Sequence, residues 1–424
     1  MFLKLFASPR SSYVIFRNWT PWLLASLFYA YQYVLRIMPS MMVSPIMQRF
    51  HMNATLFGQF SGIYYLGYAL FHLPMGIMFD RYGPRRVLTG SIIIAATGLL
   101  PLIFSHHAMI LILGRGLMGV GSSAAILGAF KIIRMNFPEH QFTKLLSLTV
   151  TIGLLGAIYG GSPLNRLLGL WGERIVVGIF FSLGLILALL TYCLVREKNG
   201  AIADNQTTLL KKNSLFKDLV LVLGNHHILL VCLFAGCMVG PLEGFADIWG
   251  AEFLKHYDGL TSSLALKLPS MIFVGMCFGA PLLSFIAQRR ACYLESIVGA
   301  GVLMSIIFTL LVTHCMSLSW MMPAFLIVGV CSSYQILSIY QASTYLSERV
   351  SGLTTAVANM VIMSFGYMLH SLIGLLIHIT GGPSVKNSFV YGISVIPLML
   401  LVGVLGYSLL MFVDHRGKSC RFVR

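Results

Sequence analysis

The chain contains few charged residues. Only 10% of its 424 residues are charged and only 13 are acidic, whereas soluble domains are about 25% charged. This scarcity argues against a water-soluble enzyme, and the 57% hydrophobic content argues against disorder. The eight cysteines show no paired spacing, so the sequence suggests neither a disulfide framework nor a zinc site. It also lacks a P-loop and an H-E-x-x-H motif. We therefore expect no cofactor, no metal and no enzymatic activity.

Long apolar windows are present instead. A membrane-spanning helix needs about 20 apolar residues, and the sequence contains twelve such windows. They lie at residues 19–42, 55–79, 87–105, 108–133, 145–168, 175–195, 228–252, 265–288, 293–313, 320–346, 352–379 and 389–413. The pattern predicts an all-α polytopic membrane protein with twelve transmembrane helices.

The positive charges have an uneven distribution along the chain. A net charge of +16 on a soluble protein would suggest nucleic acid. An even number of helices puts both termini on one side of the membrane. If that side is the cytoplasm, 21 of the 29 cations are cytoplasmic, six lie in outer loops, and Arg36 and Arg115 lie within helices. This agrees with the positive-inside rule. We therefore predict a multi-pass inner-membrane protein with cytoplasmic termini, embedded in the lipid bilayer and binding no nucleic acid.

The longest polar stretch separates two groups of six windows. It covers residues 196–218, between the sixth and seventh windows. The sequence thus predicts a six-helix bundle over 1–195, a cytoplasmic linker with an amphipathic helix over 196–224, and a second six-helix bundle over 225–424. Two equivalent halves are typical of transporters built from repeats.

The most specific motif follows the second window and reads GIMFDRYGPRR, residues 76–86. A glycine at its start allows close helix contact, and an aspartate at the helix end can accept hydrogen bonds from the N-terminus of a neighbouring helix. A Gly-Pro turn follows, and then two arginines that anchor the cytoplasmic side. The alternative is that the segment is only a positive-inside anchor. The residues of the motif that we expect to act in conformational change are Gly76, Asp80, Arg81, Gly83, Arg85 and Arg86.

This motif resembles the loop signature of the major facilitator superfamily, G-x-L-x-D-R-x-G-R-R. The fourth window, from Arg115, resembles the R-x-x-x-G-x-G motif of the same superfamily, and a decayed copy of the loop signature ends at Gln288 and Arg289. The resemblance implies the major facilitator fold, in which twelve transmembrane helices form two six-helix halves (6+6) of a monomer. It also implies that Asp80 acts as a conformational latch.

The first window contains Tyr33-Val34-Leu35-Arg36-Ile37-Met38-Pro39, and the second contains Gly58, Tyr68, Pro74 and Gly76. This pattern most resembles the anion:cation symporter group, and the first half is also similar to bacterial amino acid and siderophore importers. The symporter resemblance implies that Arg36 holds a substrate carboxylate. A structural ion pair and snorkelling to the outer interface are the alternatives for this residue. Two positions depart from that group's pattern, because Leu35 stands where Asp is common and Ser123 where an acid is common. The group's usual proton-carrying carboxylates are therefore missing.

Two acids replace them in the seventh window, Glu243 and Asp247. Four residues apart on a helix, they share one face, at about the depth of Arg36. Two neighbouring carboxylates repel each other, so the pair is suited to carrying protons. Substrate binding, an internal ion pair with Arg36 and a position at the outer mouth are the alternatives.

Polar side chains in other windows are candidates for lining a cavity. With Arg36, the predicted substrate contacts are Tyr29, Tyr33, Tyr334, Gln335 and Asn359. Tyrosines also mark membrane interfaces, which is the alternative for them. His72 and His370 lie within windows as well, either as hydrogen-bonding groups between helices or as proton carriers.

Together these features predict a secondary active transporter. Its substrate would be a small polar organic solute with a carboxylate, taken up by alternating access together with protons. A passive uniporter and an exporter of the same fold are the alternatives. A lipid flippase or a membrane-embedded enzyme is less favoured, because no catalytic polar cluster is visible.

Overall fold

A computed structural model of the protein describes residues 9–196, 217–256, 259–290, 292–347 and 350–421. Regular structure in these residues is helical. The helices of the first half are Pro9–Ile37, Met38–Met41 (3₁₀), Val43–Arg49, Ala54–Thr97, Leu100–Phe104, Ala108–Ser122, Ala125–Asn136, Glu139–Gln141 (3₁₀), Phe142–Tyr159 and Ser162–Leu194. Those of the second half are His226–Cys237, Gly240–Trp249 (π), Gly250–His256, Ser262–Arg290, Tyr293–Val312, Leu318–Ser332, Tyr334–Ser343, Ser351–Ile379 and Lys386–Arg421.

The helices have room for twelve membrane crossings. Ten segments are long and apolar enough to cross a membrane. One of them, Ala54–Phe104, has 51 residues and holds two crossings, since one needs about 20 residues. Helix Pro9–Ile37, apolar from Trp19 onward, supplies the remaining one. The predicted all-α polytopic fold is confirmed. The predicted linker 196–224 lies largely outside the described residues, so the division into 1–195, 196–224 and 225–424 stays a prediction.

Two sharp turns depend on glycine. Gly83 has φ 76° and Gly172 has φ 76°, in the left-handed region that side chains disfavour and glycine tolerates. Gly83 separates the second crossing from the third, as the Gly-Pro turn predicts. Gly172 separates the fifth from the sixth. We call the end of the molecule with the turn at Gly83 the basic end, and the end with Gly172 the far end.

The first helix differs from its predicted window. It begins at Pro9 and ends at Ile37, where the apolar window predicted residues 19–42. Pro39 explains the early end, because a proline disfavours the α conformation of the residue before it, and the chain continues as the 3₁₀ helix Met38–Met41. Arg36 therefore stands in the last turn of its helix.

The two halves meet at the far end. Gly58 of the second crossing and Gly374 of the eleventh lie so close that a Cβ on Gly58 would be 3.2 Å from Cα of Gly374. Similarly, a Cβ on Gly161 of the fifth crossing would be 2.8 Å from Oγ of Ser270 in the eighth. Such backbone approach is how small residues let membrane helices pack.

The halves separate towards the basic end. Among the described residues, no heavy atom lies within 4 Å of a Cβ built on Gly76 or on Gly352, near the basic ends of the second and eleventh crossings. The Asp80 side chain is 77% exposed. The second and eleventh crossings are thus in close contact near the far end and lack such contact at Gly76 and Gly352.

Candidate functional site

An ion-pair cluster joins the two halves where they meet. Nε of Arg36, from the first half, donates to Oδ2 of Asp247 at 2.5 Å, and its Nη2 donates to Oε2 of Glu243. Arg36 is 6% exposed, and both acids are fully buried. The structure therefore forms the internal ion pair that was one of the alternatives from sequence. We call Arg36, Glu243 and Asp247 the charge triad.

Aromatic rings surround the Arg36 guanidinium. Its Cζ lies 5.2 Å from the ring centre of Tyr33 and 5.0 Å from that of Tyr65, within the range of cation–π attraction. The Tyr65 hydroxyl also donates to Oδ2 of Asp247. Tyr65 belongs to the first half, so a second side chain from that half holds Asp247. Tyr65 was among the tyrosines that could line a polar cavity, but its contact with Asp247 could not be predicted, since its register relative to the seventh helix is a tertiary property.

Arg115 binds the end of the helix that carries Arg36. Its Nη1 and Nη2 each donate at 2.6 Å, to the carbonyls of Leu35 and Arg36 respectively. The last carbonyls of a helix have no intrahelical partner, and a cation there is favourable. Arg115 thus holds the helix end that carries Arg36. This gives a physical basis for the R-x-x-x-G-x-G resemblance, which named the residue but not its role.

The triad retains unused hydrogen-bonding capacity. Among the described residues, Oε1 of Glu243 and Oδ1 of Asp247 have no hydrogen-bond partner. The same is true of both ring nitrogens of His370, which is fully buried and stacks on Tyr65 with ring centres 5.5 Å apart. Buried polar groups are nearly always paired, so these atoms are available to bind a ligand, water or a proton.

A π-helix presents the two acids. Residues Gly240–Trp249 form it, and Pro241 in its first turn has no N–H to continue the preceding α-helix. π-helical segments often occur at functional sites. A π-helix has more residues per turn than an α-helix. In this segment Glu243 and Asp247, four residues apart, both contact Arg36. Hydropathy did not predict this element. The signal in the sequence was Pro241, which lies between Gly240 and Gly244.

The other predicted substrate contacts divide into two groups. Tyr33 belongs to the cluster, and Tyr29 lies next to it with ring centres 5.2 Å apart. Gln335 is buried, and its Nε2 has no hydrogen-bond partner among the described residues. In contrast, Tyr334 is fully buried and donates to the carbonyl of Ala235 at 2.7 Å, which favours a packing role.

Asn359 also lies outside the triad. Its Nδ2 is 3.4 Å from Nε2 of His72, so these residues link the second and eleventh crossings. His72 is thereby placed between helices, as one of the two alternatives predicted.

The loop motif lies at the exposed basic end. Asp80 accepts a 2.7 Å hydrogen bond from Nζ of Lys131, a pair that the sequence analysis missed because it joins two crossings of one half. Arg81 lies over Tyr82 and Arg85 over Tyr192, at 5.2 and 4.1 Å. Arg86, Gln288 and Arg289 are exposed at the same end.

Comparisons with known proteins agree with this architecture. The family model of the Major Facilitator Superfamily matches residues 22–370. The inner membrane transport protein YajR of Escherichia coli is 28% identical over 236 residues, which cover 53% of this chain and 51% of that protein. The hexuronate transporter of Bacillus subtilis is 24% identical over 247 residues, 57% of this chain and 58% of that protein. The matched part of the chain spans about half the length of these relatives.

Solved structures share the fold. A bacterial homologue of the human lysosomal transporter Spinster, inward-facing and unoccupied, superposes with a TM-score of 0.74 at 17% identity, covering 93% of this chain and 96% of that chain. The D-xylose–proton symporter superposes with a TM-score of 0.68 at 16% identity, covering 92% and 97%. These relatives are named as transporters, which agrees with the prediction that the chain is not an enzyme.

Proposed function

Because this chain belongs to the Major Facilitator Superfamily, we propose that it is a secondary active transporter of a small organic solute with a carboxylate. Uptake is driven by protons across the inner membrane, with the basic end and both termini in the cytoplasm. The matches of YajR, of the hexuronate transporter and of a proton symporter support this assignment. The described conformation is then the inward-open one, and the protein works as a monomer.

One observation carries the proposal: the charge triad crosses the boundary between the halves. Arg36 belongs to the half that carries the loop motif, and both acids belong to the other half. A charge in the membrane interior costs about 2.5–3.5 kcal/mol on insertion scales, so these three residues stabilise the protein only while paired. Any conformation that separates the halves at the far end must supply substitutes for the broken pairs.

A substrate carboxylate and protons are suitable substitutes. When the far end opens, the Arg36 guanidinium loses its two carboxylates, and the forked donor of arginine binds a substrate carboxylate with the same geometry. Glu243 and Asp247 then face outside water, where they bind protons. A cycle that loads substrate on one half and protons on the other links uptake to the proton gradient.

Neutralising the two acids tests the coupling. The double variant Glu243→Gln with Asp247→Asn is expected to lose accumulation of substrate against its gradient, with the final inside-to-outside ratio falling to about one. Some downhill movement and counterflow remain, because Arg36 can still bind the substrate carboxylate, although the loss of its buried counter-charges lowers the stability of the protein. The measurement is uptake into proteoliposomes with an imposed acid-outside pH gradient, using the solute that stabilises the purified protein in a screen of organic acids.

Glu252→Gln is the matched control. Glu252 is a buried acid of the same crossing but is paired within it, with Lys255 at 2.7 Å, and its neutralisation leaves accumulation intact. Concentrative uptake by the double variant contradicts proton coupling. Wild-type uptake that ignores the pH gradient favours the uniporter, and extrusion from cells favours the exporter.

The Asp80–Lys131 pair is expected to influence how readily the basic end closes. The second and eleventh crossings run antiparallel, and their register is set by two contacts, Gly58 with Gly374 and His72 with Asn359. In this register Asp80 lies opposite Ser351, the first residue of the eleventh crossing. Closing the basic end thus brings Asp80 to a helix N-terminus, a contact of about 0.3–1 kcal/mol.

Asp80→Asn is therefore expected to lower the population that is closed at the basic end by about two- to five-fold. Lys131→Gln acts in the opposite direction, because it frees Asp80 from its competing partner. Alkylation rates of a cysteine placed between the halves at the basic end measure both. Glu139→Gln, an exposed acid at the same end, is the control. Equal shifts from Asp80→Asn and Lys131→Gln contradict the latch.

A further inference from the structure

The charge triad has an asymmetry that bears on the substrate. The first half contributes one cation, Arg36, and the second half contributes two anions, Glu243 and Asp247. A solute bound between the halves at this depth therefore meets positive charge on one side and negative charge on the other.

We propose that the substrate is a zwitterion carrying an ammonium as well as a carboxylate, of the α-amino acid type. This inference rests on the transport function proposed above and specifies its substrate class. The carboxylate binds Arg36, and the ammonium binds Glu243 and Asp247. Each end of the solute replaces one side of the internal ion pairs, and a proton on the second of the two acids leaves none of the triad's charges unpaired.

Hydrogen-bonding capacity supports this assignment. The orphan atoms Oε1 of Glu243 and Oδ1 of Asp247 are acceptors, and an ammonium offers three donors. A simple carboxylate offers none, and it would place a third negative charge beside two buried ones. A buried charge without a partner is strongly unfavourable, so an anion with no ammonium requires extra protons to bind.

The remaining charged and titratable groups nearby do not remove the asymmetry. Arg115 is committed to the carbonyls of Leu35 and Arg36. His370 stacks on Tyr65, and His72 faces Asn359. The tyrosines around Arg36 are neutral donors. The two carboxylates therefore face the first half with Arg36 and the Tyr65 hydroxyl as their polar partners among the described residues.

Matched triplets of compounds test the inference. Each triplet shares one side chain and differs in whether it carries the ammonium, the carboxylate or both. Leucine, isocaproate and isoamylamine form one triplet, phenylalanine, hydrocinnamate and phenethylamine another, and alanine, propionate and ethylamine a small one. Binding to the purified wild-type protein is measured by ligand-dependent thermal stabilisation, which scales with affinity and avoids the passive membrane permeation of the amines and acids. We expect the zwitterion of at least one triplet to bind about 100-fold more tightly than either partner.

Variants then show which residues read the ammonium. Glu243→Gln with Asp247→Asn is expected to reduce the preference for the zwitterion over the carboxylate-only compound at least tenfold. Glu252→Gln leaves that preference unchanged, since Glu252 is paired with Lys255. An unchanged preference in the double variant overturns the assignment of the ammonium to these acids.

Each remaining outcome has a distinct meaning. Carboxylate-only compounds that bind as tightly as their zwitterions overturn the zwitterion but leave the proposed carboxylate transporter standing. Amines that bind as tightly as the zwitterions overturn both. Failure of every triplet also overturns the amino acid type of substrate, and the proposed function is then decided by its own uptake experiment.

Discussion

Arg36→Gln is expected to lower substrate uptake by at least about 100-fold. Removing one partner of a buried ion pair costs about 3–5 kcal/mol, and 3 kcal/mol of lost binding is about a 100-fold loss of affinity. Two costs fall together in this variant, because the substrate loses its guanidinium and the buried Glu243 and Asp247 lose their counter-charge. Arg36→Lys restores the charge but not the fork that reaches both acids at once. We expect it to fold like the wild type and to retain only a small part of the uptake.

A compensating variant separates folding from transport. When Glu243→Gln and Asp247→Asn are added to Arg36→Gln, the site contains no unpaired charge. We expect this triple variant to recover the thermal stability lost by Arg36→Gln but not its uptake. Arg174→Gln, which changes an exposed arginine at the far end, is the control and leaves both intact. Uptake by the triple variant that equals the wild type contradicts a role for the triad in binding.

The sequence predicted the parts of this site that depend on local composition. A charge within an apolar window is visible directly, so Arg36, Glu243 and Asp247 could be selected and placed at similar depth. The turn at Gly83 could also be predicted locally, because the left-handed backbone of a tight turn favours glycine. The count of twelve crossings needed only hydropathy and the length of a spanning helix.

The pairing of these residues could not be predicted in the same way. Whether Arg36 contacts the acids or a ligand depends on how the halves meet, and a transporter has at least two such arrangements. The Tyr65 contact and the Asp80–Lys131 pair are equally tertiary. The end of the first helix was wrong by five residues because Pro39 overrides apolarity, and hydropathy does not distinguish a π-helix from an α-helix.

Glycines along the second crossing indicate how the far end opens and the basic end closes. Gly58, Gly62, Tyr65 and His72 form one stripe that faces the eleventh crossing, where Tyr367, Gly366 and Asn359 contact it. Gly76 continues this stripe at helical spacing, but open space faces it here. A glycine in a helix costs about 0.8–1 kcal/mol relative to alanine. We therefore expect Gly76 to make a close contact in the conformation that is closed at the basic end.

Bulky substitutions at the two ends of this stripe are expected to drive the protein in opposite directions. Gly58→Leu collides with the backbone of His370 and Gly374, which disfavours the described conformation. Gly76→Leu fits the described conformation and obstructs the alternative. Overpacking costs about 1–3 kcal/mol, so each variant shifts the equilibrium between conformations by about five- to 150-fold.

Distances between spin labels at Glu139 and Thr344, one exposed position in each half at the basic end, measure the shift. The labels come closer in Gly58→Leu and stay apart in Gly76→Leu, and both variants lose transport. Gly169→Leu, at an exposed glycine of the fifth crossing with no neighbour within 4 Å among the described residues, leaves the distance distribution and transport unchanged. Shifts of the same sign in Gly58→Leu and Gly76→Leu contradict a single helix pair that closes each end in turn.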